Sequence, residues 1–202
     1  MTNDEWRMAS PRPSSPTLPA STAFDIRNSS FASPMQPLPH TRSCFVCGEA
    51  NPLGLRLRFH TDGQIVRATY QPRPEHIGFA NTVHGGLLAT LLDEIMVWAC
   101  AVRTRRFAYC AEMSVRYAHP ARPGEELHAT AELFEDRRGK LFLAQGELRN
   151  PAGLVLATAT GKYLPMKGDV AAGMVGDLVG DWSAFVDTGK CVAKPGSDGV
   201  VE

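Results

Sequence analysis

One segment limits what this chain can fold into more than any other. "VHGGLLATLLDEIMVWACAV" (83–102) is its single long run of helical periodicity, and the strand patterns lie on either side of it. At about 100° per residue, Leu88, Leu91, Leu92, Ile95, Trp98, Ala99 and Val102 fall on one broad apolar face. Gly86, Ala89, Thr90, Asp93, Val97 and Cys100 cluster on the opposite face, which carries smaller residues. A helix is thus expected over 84–102. Upstream, "LRLRFH" (55–60) and "QIVRATYQ" (64–71) alternate around Asp62-Gly63, a hairpin signature. Downstream come four more alternating runs, at 108–120, 126–136, 141–150 and 155–165, separated by Pro123-Gly124, Gly139 and Pro151 to Gly153. One helix beside about six strands has an economical solution, an α+β domain in which a curved antiparallel sheet wraps the helix.

The flanks read differently. Residues 1–43 are rich in Pro, Ser and Thr and bury too little apolar surface to offset chain entropy, so an extension, mostly disordered, is expected there. Residues 167–202 are Gly-rich, with "DLVGDWSAFVD" (177–187) the expected short helix. The domain is placed at 44–166. With 21 basic and 21 acidic residues the chain has no net field that would favour nucleic acid or an anionic membrane. No run of wholly apolar residues approaches a membrane span. The N-terminus, with Asp4 and Glu5, lacks the pattern of a secretory or transit segment, which makes a cytoplasmic location the expectation. Five cysteines at scattered spacings do not resemble a disulfide framework. Cys44 and Cys47 form one CxxC. His40 and His60 are conceivable further ligands, but no second compact ligand pair follows, so the motif reads as a tight turn with two half-buried thiols and no metal.

The chemistry concentrates at the start of the helix. Gly85 and Gly86 there expose backbone N–H groups, and the helix dipole favours negative charge on whatever they bind. Such donors suit a carbonyl oxygen that gains charge during reaction. Asp93 shares a side with Gly86 and is placed to act as general base or nucleophile. His84 is placed to orient the turn, while Glu94, the next residue, points elsewhere. Each feature alone has a structural explanation, but together they fit acyl hydrolysis.

"VHGGLLATLLDE" (83–94) and "AEMSVRYAHPARPGEELHATAEL" (111–133) resemble the PaaI-like branch of the hotdog-fold thioesterase superfamily. The lead-in "CFVCGEANPLGLRLRF" (44–59) resembles a subgroup of it that opens with CxxCG and NPxGL. The resemblance covers 44–166. It implies an acyl-CoA thioesterase that needs no cofactor, works as a homodimer or homotetramer, and has active sites at the dimer interface. By the same resemblance Asp93 activates water or attacks the thioester, the Gly85 N–H binds its oxygen, and His84 supports the turn. Many relatives carry Asn or Gln six residues before this His. Here that position is Gly78, with Asn81 as the substitute three residues before His84, and this departure keeps a non-catalytic acyl-CoA binder open as the alternative. A hydratase of the same fold would need a different Asp/His layout. Gly86 and Thr90 on the helix, and Glu112, Ser114 and Arg116 on the following strand, are expected to line the substrate channel. Arg137, Arg138 and Lys140 in "EDRRGK" are expected at the CoA phosphates.

Overall fold

The structure, a computed structural model, describes residues 34–185 and 187. The expectations for residues 1–33, for Cys191 and for the last residues lie outside that range. In chain order come two short strands, β1 (Gln36–Pro37) and β2 (His40–Thr41), then the hairpin β3 (Phe59–Thr61) and β4 (Ile65–Tyr70). A small hairpin, β5 (Ile77–Phe79) and β6 (Thr82–Val83), leads into the helix α1 (Gly85–Thr104). Four long strands follow, β7 (Ala108–Tyr117), β8 (Leu127–Arg137), β9 (Leu141–Arg149) and β10 (Val155–Pro165), then α2 (Gly168–Gly176) and β11 (Leu178–Val179).

Seven strands form one antiparallel sheet in the order β1-β3-β4-β8-β9-β10-β7. The expected α+β architecture is present, with α1 packed across β4, β7, β8, β9 and β10. Trp98 anchors it, 5.9 Å from the Phe59 ring and edge-on to Phe107 at 5.2 Å. Gly146 on β9 lets the helix come close, because a Cβ there would meet Met96 at 3.4 Å. By length and composition α1 would also cross a bilayer, but here its apolar surface is buried on the sheet.

Four local expectations are corrected. The strand expected at 55–60 shrinks to Phe59–Thr61, because Arg56 takes a left-handed φ of 59° that breaks the extended run. Leu55 and Leu57 instead donate to the carbonyls of Phe45 and Val46, which ties the CxxC loop to the sheet. Cys100, placed on the outer helix face, is fully buried, as are Met96 and Ala101, while Val102 is only half-buried. The C-terminal half of α1 is covered on a second side, where Cys100 sits near Asp136 and Cys110. Finally, the helix after the domain is α2, ahead of the expected 177–187 segment.

Ordered structure extends on both sides of 44–166. Strand β11 pairs with β2, and the Asp177 carboxylate accepts from the Ser43 hydroxyl at 2.6 Å and the Ser43 N–H at 3.0 Å. Those bonds hold the Asp177 carboxyl below the usual aspartate range.

On β10, Ala157, Ala159, Gly161 and Tyr163 face inward and are buried. A Cβ on Gly161 would lie 2.5 Å from the Tyr163 ring, so the glycine makes the space the tyrosine fills. Gly161→Ala is therefore expected to displace Tyr163 and destabilise the domain by about 1–3 kcal/mol. A lower urea midpoint with an unchanged m-value would show it.

Candidate active site

α1 begins at an unusual cap. His84 is the N-cap residue, extended at φ −60° and ψ 130°, and its Nδ1 accepts from the Gly86 N–H at 2.9 Å. That bond assigns the ring proton to Nε2. A Cβ on Gly86 would come within 2.9 Å of Nδ1, which explains the glycine. The expectation of two free N–H groups is therefore corrected. Gly86 gives its N–H to the cap, and Gly85 alone keeps an N–H without a partner among the described residues. The Gly85 carbonyl accepts from the Tyr117 hydroxyl at 3.0 Å, and the Tyr117 ring lies beside the Gly85 Cα. Gly85 lines an open groove of about 370 Å³ with Phe79, Thr82, Leu88 and Tyr117. Phe79 is 83% exposed at its rim.

Asp93 lies two turns further along α1 and is half-buried. The Tyr163 hydroxyl donates to its Oδ1 at 3.1 Å. Cys110 joins this pair because of a bulge in β7: Lys162 faces Glu112 and Tyr163 faces Cys110, so the ladder skips Ala111 and turns Cys110 inward. Burial and the neighbouring Asp93 charge raise the Tyr163 hydroxyl above its ordinary range and push the Cys110 thiol up to about 11. Both groups thus stay neutral donors beside a carboxylate. Neither was identified from sequence. The available signal was the period-2 row Ala157, Ala159, Gly161, Tyr163, in which small residues end at one large polar-tipped side chain aimed at the helix.

Other expected site residues are placed elsewhere. Asn81 sits at the exposed tip of the β5–β6 hairpin with φ 57°, a backbone conformation that asparagine tolerates well. Position 78 lies against His84, where a Cβ would meet Cδ2 at 2.9 Å. The Thr90 hydroxyl donates back to the Gly86 carbonyl at 2.9 Å, and Thr90 shares a second groove with His84 and Leu87. On β7, Met113 and Val115 pack toward the core. Glu112, Ser114 and Arg116 consequently occupy the outer face, away from α1, with Glu112 paired to Lys162 at 2.7 Å. Residues 137–140 form the β8–β9 turn, held to the far end of α1 by Arg106 donating to the Gly139 carbonyl at 2.9 Å. Arg137 pairs there with Glu135, at 2.9 and 3.2 Å, and Arg138 and Lys140 are exposed. Within one subunit residues 137–140 do not reach Gly85, since α1 separates its two ends by roughly 28 Å.

Glu94 points away from Asp93, toward Cys44 and Cys47. Burial and the Cys44 charge push its carboxyl up to about 8.

Residues 80–155 match the thioesterase superfamily. The chain is 30% identical over 84 residues to acyl-coenzyme A thioesterase 13 of Homo sapiens and of Mus musculus, covering 41% of this chain and 60% of those proteins. It thus spans less than two thirds of the length of these relatives. A crystal structure of a thioesterase superfamily protein superposes with a TM-score of 0.57 at 29% identity, covering 61% of this chain and 60% of that one. The Escherichia coli PaaI protein from the phenylacetic acid degradation operon shares the fold, with a TM-score of 0.52 at 21% identity over 56% of this chain and 82% of that one. Sheet order and central helix make this a hotdog-fold domain, and its matched segment is similar to the thioesterase superfamily.

Proposed function

We propose that the protein hydrolyses an acyl-CoA thioester to the free acid and CoA. The observation that carries this reading is the pairing of one free helix N-terminal N–H, at Gly85, with a carboxylate on the same helix, Asp93. In the proposed reaction the thioester oxygen accepts from the Gly85 N–H, where negative charge develops as the carbonyl carbon becomes tetrahedral. The Asp93 carboxylate takes the proton of an attacking water, or itself attacks to form an acyl anhydride that water then hydrolyses, and the CoA thiolate leaves. The Tyr163 hydroxyl holds the carboxylate in one orientation. Relatives named acyl-coenzyme A thioesterases support the substrate class.

The helix also supports a requirement for two subunits. Gly85 and Asp93 are eight residues apart, which is roughly 12 Å of axial rise. A carbonyl carbon and its attacking atom must come within about 3 Å, so one helix cannot supply both groups to one thioester. Two copies arranged antiparallel would place the Gly85 of one beside the Asp93 of the other. β7 suits such an arrangement: it is the outermost strand of the sheet, and Tyr109 and Tyr117 are about half exposed on it. A homodimer, or a homotetramer built from two such dimers, is the proposed working form.

A second reading, a binder that does not turn over, is favoured by Gly78. The glycine offers no side-chain amide beside His84, and there is no room for one in this arrangement.

Asp93→Asn should lower the rate of CoA release by a factor of about 10³ or more while acyl-CoA binding persists. The assay is thiol release from a panel of acyl-CoAs, with the protein's own cysteines blocked. Wild type that binds but never releases CoA would establish the binder instead.

Gly85→Pro isolates the other half of the site. Proline fits the first helical position and removes only the N–H, and the extended His84 suits a following proline. This variant should fold and be nearly inactive. Co-expressed with Asp93→Asn, it should regain activity in mixed dimers, each with one intact composite site. Failure of any mixture to exceed its parents would rule out the shared site.

A further inference from the structure

The CxxC loop and α1 together form a second constellation, separate from the Asp93 cluster and unused by the proposed reaction. Glu94 Oε1 lies 3.4 Å from Cys47 Sγ and 3.7 Å from Cys44 Sγ, and the three candidate ligand atoms all fall within 4.8 Å of one another. His40, considered from sequence as a ligand, instead pairs with Glu49 at 3.2 Å. His60 sits on β3 opposite Pro37 and faces a groove with Arg67. The third group is thus the acid that the sequence placed beside Asp93 and left without a task.

We propose that Cys44, Cys47 and Glu94 bind one divalent transition-metal ion, zinc by preference, which clasps the lead-in loop to the central helix.

The loop is shaped as thiolate ligation requires. The Val46 N–H donates to Cys44 Sγ at 3.1 Å and the Thr41 N–H to Cys47 Sγ at 3.4 Å. Amide donors aimed at sulfur stabilise the deprotonated form that a metal needs. The Gly48 N–H closes the turn on the Cys44 carbonyl at 2.9 Å, and a Cβ on Gly48 would lie 2.3 Å from that oxygen. Only glycine allows this turn to close.

Charge supplies the second argument. Three acidic groups converge at a largely buried point, and among the described residues no lysine, arginine or histidine forms an ion pair with Glu94. Arg58, beside the loop, gives its guanidinium to the carbonyls of Cys47 and Leu57 at 2.8 Å each. A buried carboxylate without a cation costs several kcal/mol if ionised. A divalent ion eases the conflict: the thiol and carboxyl protons leave to solvent and the ion offsets two of the three negative charges that remain. Two soft thiolates with one carboxylate select zinc over calcium or magnesium. The site would be a staple: the loop it fixes carries the carbonyls that pair with Leu55 and Leu57, and the helix residue it holds adjoins Asp93.

The test uses the full chain, purified reduced and without a metal-affinity tag. Elemental analysis should find about one zinc per chain. The metal-free chain titrated with Co²⁺ should develop thiolate-to-cobalt charge-transfer absorption at about one equivalent. Cys44→Ser and Cys47→Ser should each abolish that band, and Glu94→Gln should weaken Co²⁺ binding at least tenfold while leaving a thiolate band. Replacing Cys100, Cys110 and Cys191 together by Ser should leave stoichiometry and band unchanged. Should a Cys44 or Cys47 variant fail to fold, the wild-type titration and the triple variant still decide. Two results would overturn the proposal: a reduced wild-type chain with neither zinc nor a cobalt band, or a band that survives loss of Cys44 or Cys47. Esterase activity does not enter these readouts, so the outcome is independent of the proposed reaction.

Discussion

The burial of α1 against the sheet is the constraint on which the rest of the domain depends. Trp98, Ile95, Leu91 and Leu92 fix the rotation of the helix about its axis, because each loses its contacts if the helix turns. Once that rotation is set, consecutive residues point about 100° apart. Asp93 and Glu94 must then face different neighbours although they adjoin in sequence. Asp93 meets Tyr163 and Cys110 from β10 and β7, and Glu94 meets the CxxC loop. Packing energy thus determines which acid meets the Tyr163 hydroxyl and which meets the thiols.

Much of this was legible in sequence because it is local. Helical period, strand alternation and turn dipeptides depend on residues within a few positions, and they located α1, β4 and the meander β7 to β10. The His84 turn was legible for the same reason, since its cap bond spans two residues. What failed required long-range register or backbone sign. The left-handed Arg56 cut short a strand whose alternation was correct. The skipped Ala111 in β7 decided which of its residues face α1, and no count along one strand predicts a bulge set by its neighbour. Glu112, Ser114 and Arg116, expected along the channel, lie on the face of β7 away from α1. Tyr163 was overlooked because its partner is 70 positions away.

The glycines show the same division. Gly85 and Gly86 adjoin, yet the structure uses them differently. Gly86 is required so that the imidazole of His84 can accept its N–H, whereas a Cβ at Gly85 would only touch Tyr117, and its N–H is left open. The cap satisfies the Gly86 donor of the helix and leaves the one before it unpaired. A conventional serine or aspartate at position 84 would also cap the helix, but with a shorter side chain. The imidazole reaches across the turn and fills the space beside Gly78, where a larger residue would collide with it.

Helix geometry then separates what one subunit can do from what two are needed for. The proposed metal staple draws Cys44, Cys47 and Glu94 from one chain, where the three ligand atoms already converge. The proposed thioester hydrolysis needs two, because the donor and the carboxylate lie along one rigid rod at a spacing far greater than a reacting pair allows. Flexing the loops cannot shorten a hydrogen-bonded helix of twenty residues. The exposed edge strand and the aromatic rim around Gly85 therefore belong to the same problem as Asp93. Each is incomplete in isolation, and a second copy packed against β7 would resolve them together.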